Sequence, residues 1–425
     1  MSREVATRPG PTLEEIRRVA AELAAHVDRT PMERSRFLGG IVGHEVHLKA
    51  ENLQRTGSYK IRGATARLAR LTPEERARGV VAASAGNHAQ GVALAARELG
   101  IPATIFMPVG VALPKLQATR GYGADVVLTG DVVDETLRAA AEFSQRTGAV
   151  LIPPFDHHDV VAGQASVALE ILEQVPEVRN VVVPMGGGGL VAGIATAFAQ
   201  LEPELGRRVR VIAVQAEHAA SFAAALESGE PVSVTTAPTI ADGIHVGRTG
   251  ALPFEILRDT VAGHVEVPDD ETAEALVLLM ERAKLVVEPA GAVGVAAAIA
   301  GRLDGMLDPE GPTVFVLSGG NVDPMVLERV VSRGLLAAGR YLVVTIPLPD
   351  RPGQLKAIAG IIADANANVV EVLHTRHGLG LQISEVEIEI HMETRGEEHA
   401  DAVLQALREA GYRPRVGRAE AAQPA

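Results

Sequence analysis

From residue 43 to about 317, short apolar runs give way again and again to helical patterns, and this alternation constrains the fold more than any other feature. It begins at 43–49, where apolar and polar residues alternate like a strand. Helix 64–71, strand 79–83, helix 88–99, strand 103–107, helix 114–121 and strand 125–128 follow. The pattern continues through helix 131–147, strand 149–152, helix 162–174, strand 180–184, helix 191–200 and strand 209–214. Helices 270–283 and 290–300 and strand 313–317 close it. Strands separated by helices predict parallel pairing in an open α/β layer. A helix at 12–28 precedes the series, with Thr12 as its cap and Glu14 and Glu15 in the first turn, where the helix dipole favours them.

After about residue 335 the texture changes. A strand at 341–346, a helix opened by Asp350 as cap with Pro352 in its first turn, strands near 367–375 and 380–392, a helix at 397–410 and a last short strand make a β-α-β-β-α-β order. That is the ferredoxin-like arrangement, and the boundary is expected near 337–339. Residues 420–425 are expected to fray.

Four polar, glycine-rich clusters interrupt the series, each at the end of an expected strand or just beside one. The first delivers Lys60, within Ser58-Tyr59-Lys60-Ile61-Arg62-Gly63-Ala64, to the start of a helix. The chain has five lysines (49, 60, 115, 284 and 356) against thirty-five arginines, so a lysine at this point suggests amine chemistry, which a guanidinium cannot perform. The second is Ser84-Ala85-Gly86-Asn87-His88, whose small residues at a helix N-terminus suit a carboxylate. In the third, Gly186-Gly187-Gly188-Gly189-Leu190, four glycines free several N–H groups to face one point at a helix start, an anion cradle most naturally for phosphate. No Lys-Ser/Thr pair follows, which disfavours a P-loop; Gly187, Gly189 and Ala192 do fit G-x-G-x-x-A, but in mid-series rather than at a first strand. The fourth is Ser318-Gly319-Gly320-Asn321. Open α/β sheets bind ligands at the C-terminal ends of their strands, so the four clusters together point to one site.

Composition removes other classes. A formal charge of −13 and 3% aromatic residues argue against a nucleic-acid partner. No uncharged apolar run reaches membrane-spanning length, and residues 1–10 lack the apolar core of a secretory signal, so a cytoplasmic protein with no membrane partner is expected. The absence of cysteine excludes disulfides and thiolate metal sites.

Taken together, the four clusters resemble those of the pyridoxal-phosphate enzymes of the tryptophan-synthase-β fold type, and within them the threonine dehydratase (threonine ammonia-lyase) family. The tail, with Arg351-Pro352-Gly353-Gln354-Leu355, resembles an ACT regulatory domain. The resemblance implies a two-lobed α/β catalytic part over 1–336, with a smaller lobe of about 58–153 inserted in the larger, and an ACT-type domain over 340–416. It implies that Lys60 holds pyridoxal 5′-phosphate as a Schiff base and moves the substrate's α-proton. Gly186, Gly187, Gly188, Gly189 and Leu190 would bind the cofactor phosphate, Asn87 its phenolic oxygen, and Ser318 its pyridine nitrogen. Ser84, Ala85, Gly86 and His88 would surround the substrate carboxylate. In the family's usual account the cofactor phosphate supplies the proton to the leaving hydroxide.

The expected reaction is elimination of water from L-threonine, and from L-serine, to a 2-oxo acid and ammonia. A relative acting on serine alone or on 3-hydroxyaspartate is the near alternative, and an NAD-dependent oxidoreductase the remote one. Serine racemases of this fold carry serine where Ala85 stands, which argues for a lyase. Their divalent-metal carboxylates map near Glu217 and Ala223, so no metal site is expected beyond a monovalent cation near Glu217. Asp242 and Glu288 are candidate supports of the pocket, whereas His157 and His158 fit a surface loop better than a metal site. Isoleucine or valine is the expected effector of the tail, in a homotetramer or homodimer.

Overall fold

The structure, a computed structural model, describes residues 10–376 and 385–416. The chain divides into two compact units, up to Leu327 and from Glu328.

The first unit opens with helix Leu13–Leu23, capped by Thr12, whose hydroxyl accepts from Glu15 N at 3.2 Å. It stops short of the expected 28 because its buried stripe of Ile16, Val19 and Leu23 ends there and the following Ala24 and Ala25 are exposed. Strand β1 (Met32–Arg34) pairs antiparallel with β2 (Val46–Lys49). Strands β3 (Val80–Ala83), β4 (Ala103–Met107), β5 (Asp125–Leu128) and β6 (Val150–Leu151) then form a separate parallel sheet, in the order β5-β4-β3-β6. Strands β7 (Asn180–Pro184), β8 (Arg210–Ala216), β9 (Gly263–Val267) and β10 (Thr313–Val316) complete a six-stranded sheet, β1-β2-β10-β7-β8-β9, parallel apart from β1. Chain segments from both sides of the β3–β6 insertion thus share one sheet. The parallel α/β expectation is met, and the continuous Val-rich runs in β3, β7 and β10 reflect burial on both faces.

Several elements differ from expectation. The helix expected from 64 starts at Lys60 and runs Lys60–Ala69. What extends it is a buried ion network: Arg62 donates twice to Glu51 at 2.8 Å and once to Glu170 at 2.6 Å, and Lys49 joins Glu170 at 2.6 Å. Burial of this charge is sustained only because each group is paired. His157 and His158 lie at the start of helix His158–Gln174 rather than in a surface loop; His157 Nδ1 accepts from Asp159 N at 3.1 Å and so caps it. The helix expected to 283 is α-helical over Asp269–Leu278 and widens into a π-turn at Leu279–Ala283, ending at Lys284 with φ +60°. Strand β9 was not expected, since Gly-His-Val-Glu-Val lacks an apolar run and lies half-buried at the sheet edge.

The second unit has β11 (Tyr341–Pro349), helix Gln354–Asp364, β12 (Asn368–Thr375), β13 (Glu385–Glu393), helix Glu397–Glu409 and β14 (Arg415–Val416). The sheet is antiparallel, in the order β12-β13-β11-β14, as the ferredoxin-like reading requires. Alternate residues Leu342, Val344, Ile346 and Leu348 of β11 pack against Ile358 and Ile362 of one helix and Val403 and Leu407 of the other. Asp350 is not the cap of the first helix, because β11 runs on to Pro349; Gly353, at φ +95°, makes the turn into Gln354. Positions 380–384 of the expected second strand, and 420–425, lie outside the described residues.

Candidate active site

The strand ends bring the predicted clusters together. Ser58 bridges to Gly319, Tyr59 N donates to Ser318 O at 3.2 Å, and Gly320 N donates to Gly57 O at 2.8 Å, which joins the Lys60 turn after β2 to the Ser318 turn after β10. Asn321 Nδ2 reaches Thr56 O at 2.6 Å and Asn87 Oδ1 at 2.8 Å, and Asn87 Nδ2 donates to Glu288 Oε1 at 2.7 Å. The cluster after β3 is thereby tied to the other two. The tetraglycine turn after β7 meets them through Pro154 and Phe155. Lys60 Nζ donates to Pro154 O at 3.1 Å, while a Cβ on Gly187 would lie 2.4 Å from the Phe155 ring and one on Gly189 3.0 Å from Phe155 Cα. Asp156, next in the chain, receives Ala251 N and Leu252 N at 2.9 and 3.0 Å, and Gly250 N donates to Gly187 O.

One lysine ends β2 and another opens the helix that follows, and their burial and bonding separate them. Lys49 is fully buried, and its three N–H donors are spent on Thr30 O, Glu170 and Gln174. Lys60 is only partly buried, and its one hydrogen bond is to a backbone carbonyl, which a reacting partner can replace. Its amine, 5.1 Å from the Tyr59 ring centroid, is the one available for covalent chemistry.

The residues fit a phosphorylated aldehyde cofactor. In helix Gly189–Leu205 the first intrahelical bond runs from Ala192 N to Gly188 O, so the N–H groups of Gly189, Leu190 and Val191 precede the helix's own bonding. Gly188 sits at φ +95°, which turns the backbone into the cradle and which a side chain would resist. A helix N-terminus with free donors, closed by backbone packing against Phe155, has the chemistry to receive a phosphate, one short peptide segment from the Lys60 amine.

At the helix start after β3 (helix Asn87–Glu98), Ser84 Oγ accepts from Gly86 N at 3.1 Å, and the N–H groups of Asn87 and His88 precede the first intrahelical bond, from Gln90 N to Gly86 O. The His88 ring turns inward, with Nε2 2.9 Å from Ile152 O. Burial, with the Lys60 charge second, lowers its pKa to about 4, so it stays neutral and offers its backbone rather than a cation to a carboxylate. Ala85 brings only a methyl group to the cavity. Ser318 is 4% exposed at the end of β10.

Glu288 is the most perturbed acid of the site. Burial, then Asp242, push its pKa up to about 8, against the pull of Lys115, Asn87 and Lys60. It is therefore protonated at neutral pH. Because the folded state holds this proton more tightly than the unfolded one, the stabilisation is full below the unfolded carboxylate pKa and is lost as pH rises toward 8. Stability of the cofactor-free protein is expected to carry a falling component of up to about 1.4 kcal/mol per pH unit across that window. Glu288→Gln should remove it, so melting temperatures of variant and wild type across pH 5 to about 8 should converge at the acid end and separate at the basic end; parallel curves would refute the assignment.

Glu217 stands in the single turn Glu217–Ala219 after β8, with Arg302 close enough to feel its charge. Among the described residues the grouping with metal-ligand spacing is instead Glu15, His158 and Asp159. Asp159 there is already paired with Arg67 and Arg70, each at 3.3 Å. Sequence reading passed over Lys115 and Phe155. The scarcity of lysine that drew attention to Lys60 applied equally to Lys115; the role of Phe155 in closing the glycine turn carries no local signal.

Comparison with known proteins gives the family. A family model described as "Pyridoxal-phosphate dependent enzyme" matches residues 23–319, and one described as "ACT domain" matches 343–411. The chain is 45% identical over 406 residues to the L-threonine ammonia-lyase of Thermotoga maritima, covering 95% of this chain and 99% of that protein. Among solved structures it resembles the processed form of threonine deaminase isoform 2 from Solanum lycopersicum (TM-score 0.70, 34% identity, 77% of this chain and 95% of that one). It also resembles maize serine racemase (TM-score 0.71, 33% identity, 77% of this chain and 98% of that one).

Proposed function

The chain belongs to the family of pyridoxal-phosphate-dependent enzymes, and from that premise we propose that it is an L-threonine ammonia-lyase with an ACT-type regulatory tail. It uses pyridoxal 5′-phosphate and converts L-threonine to 2-oxobutanoate and ammonia, with L-serine giving pyruvate. The observation that carries this reading is the meeting of one uncommitted amine, Lys60, with a free-donor cradle at Gly189 and Leu190 across the Pro154–Phe155 segment.

When bound, the cofactor supplies an electron sink for the pair released at the substrate's α-carbon. Lys60 Nζ would anchor it, and the same amine would take the substrate's α-proton as general base. Gly186, Gly187, Gly188, Gly189 and Leu190 receive its phosphate through backbone N–H groups. Asn87, its side-chain amide held in orientation by Glu288 and Asn321, would meet the cofactor's phenolic oxygen. Ser318 would offer the pyridine nitrogen a neutral hydroxyl, which unlike a carboxylate would not hold a proton there, and so would favour prompt loss of the β-hydroxyl. Ser84, Ala85, Gly86 and the His88 backbone seat the substrate carboxylate. Ala85 brings a methyl group where racemases of this fold carry a serine, which supports a lyase rather than a racemase.

The catalytic part is assigned to 1–336, with a small lobe of 58–153, and the regulatory domain to 340–416. The ACT domain supports an amino-acid effector, which we take to be isoleucine or valine, in a homodimeric or homotetrameric enzyme of the cytoplasm. No helix of the described residues is long and apolar enough to cross a membrane. A monovalent cation near Glu217 is a further option. The test is release of 2-oxo acid from L-threonine, L-serine and 3-hydroxyaspartate, each with and without isoleucine or valine. Threonine turnover suppressed by isoleucine is expected. Turnover from 3-hydroxyaspartate alone would replace the substrate assignment, and turnover indifferent to isoleucine and valine would remove the effector assignment.

A further inference from the structure

One ion pair crosses the mouth of the site, and nothing in the mechanism above uses it. Lys115 lies on helix Leu113–Gly121, which connects β4 to β5 in the smaller sheet; Asp242 lies in the single turn Asp242–Ile244 beside the larger one. Their Nζ and Oδ2 atoms are 2.6 Å apart. The Lys115 side chain is 15% exposed and that of Asp242 57% exposed, so the lysine is held inside the rim and the aspartate stands in solvent. Both line a cavity of about 240 Å³ together with Ala85, Glu288 and Asn321. A Cβ on Gly86 would sit 3.8 Å from Lys115 Nζ, which places the ammonium beside the Ser84-Ala85-Gly86 turn.

The charge balance of this cavity is unusual. Among the described residues that line it, Lys115 is the one cation, against the carboxyl groups of Asp242, Glu288 and Asp323. Glu288 is kept protonated by burial, and Asp323 is turned to Met325 N. Asp242 is therefore the acid that occupies Lys115. An amino-acid substrate brings another carboxylate into the same cavity, and helix-initial N–H groups alone would have to hold it.

We propose that Lys115 is a substrate-positioning residue whose resting partner is Asp242: the incoming carboxylate displaces Asp242 from the ammonium and takes its place. Asp242 is then a built-in competitor that holds Lys115 over the cavity between turnovers. The exposed aspartate is the weaker partner, since a solvent-facing pair contributes little, whereas a carboxylate seated within the cavity keeps its charge-assisted bond shielded from water. This inference rests on the threonine ammonia-lyase reading, and its test is separable from the test of that reading.

Displacement makes the two halves of the pair act with opposite sign, which a merely structural bridge cannot do. Lys115→Met should raise KM for L-threonine at least about tenfold, the value of a lost charge-assisted hydrogen bond. Asp242→Asn, which frees the ammonium, should lower KM by about twofold to fivefold, matching the worth of an exposed pair. The inhibition constant of L-2-aminobutyrate, which lacks the leaving hydroxyl, should move in parallel, since the effect is on binding. Lys115→Arg, which keeps the charge, should recover most of the loss. If Asp242→Asn raises KM and the inhibition constant, as Lys115→Met does, the pair is structural and the proposal fails. The sign of the Asp242→Asn effect decides the matter even should Lys115→Met fold poorly. Wild-type protein without threonine turnover would overturn the functional reading instead.

Discussion

Lys60→Ala is expected to lower threonine turnover at least about 10⁴-fold, because the proposed function makes Lys60 both the covalent anchor and the base that moves the α-proton. The fold should survive. Lys60 Nζ makes one hydrogen bond, to Pro154 O at 3.1 Å, and the helix it opens is anchored two residues on by Arg62, buried against Glu51 and Glu170. The melting temperature should therefore fall little, and cofactor should bind without covalent attachment. Lys49→Ala makes the instructive contrast. It takes one of two cationic partners from Glu170, which keeps Arg62, and the donor from Gln174 Oε1, so its damage should appear as lost stability before lost chemistry. Kinetics and thermal melts on the two variants separate a reacting lysine from a structural one. Equal loss of activity with equal loss of stability would contradict the distinction.

The second large effect concerns the glycine turn. A methyl on Gly189 meets Phe155 backbone, with Cα at 3.0 Å and O at 3.1 Å, and backbone cannot swing aside. Gly189→Ala must then displace the helix start that presents the free N–H groups. Loss of even one charge-assisted bond from that start should weaken cofactor binding by about tenfold to a hundredfold. A methyl on Gly187 meets only the Phe155 ring, at 2.4 to 2.5 Å. Gly187→Ala should weaken binding as well, but Phe155→Ala in the same chain should relieve much of the damage, whereas it should not rescue Gly189→Ala. Titration of cofactor into the reduced set of variants reads this directly, and rescue of both substitutions, or of neither, would show that packing against Phe155 does not shape the cradle.

These contacts also show what could be read from residues alone. Both glycine turns and the Lys60 segment were legible because each breaks a strand–helix alternation with residue types whose backbone freedom or amine chemistry has few other uses. Strand limits were sharp wherever the apolar run was continuous, as in β4, β5 and β7, whose bounds match expectation. What stayed hidden was long-range. Arg62 extends its helix backward to Lys60 through partners eleven and 108 residues away. Phe155 closes the cradle, and Glu288 orients Asn87 from 201 residues off. No local pattern encodes such pairings. The half-buried edge strand β9 was missed for the opposite reason, since an edge needs less apolar sequence to form.

The most direct test of the account is borohydride reduction of the purified enzyme, followed by peptide mass mapping of all five lysines. Loss of the cofactor's yellow colour and a single reduced pyridoxyl adduct on Lys60 are expected. An adduct on Lys49 or Lys115, or a coloured protein that borohydride leaves unmodified, would contradict it.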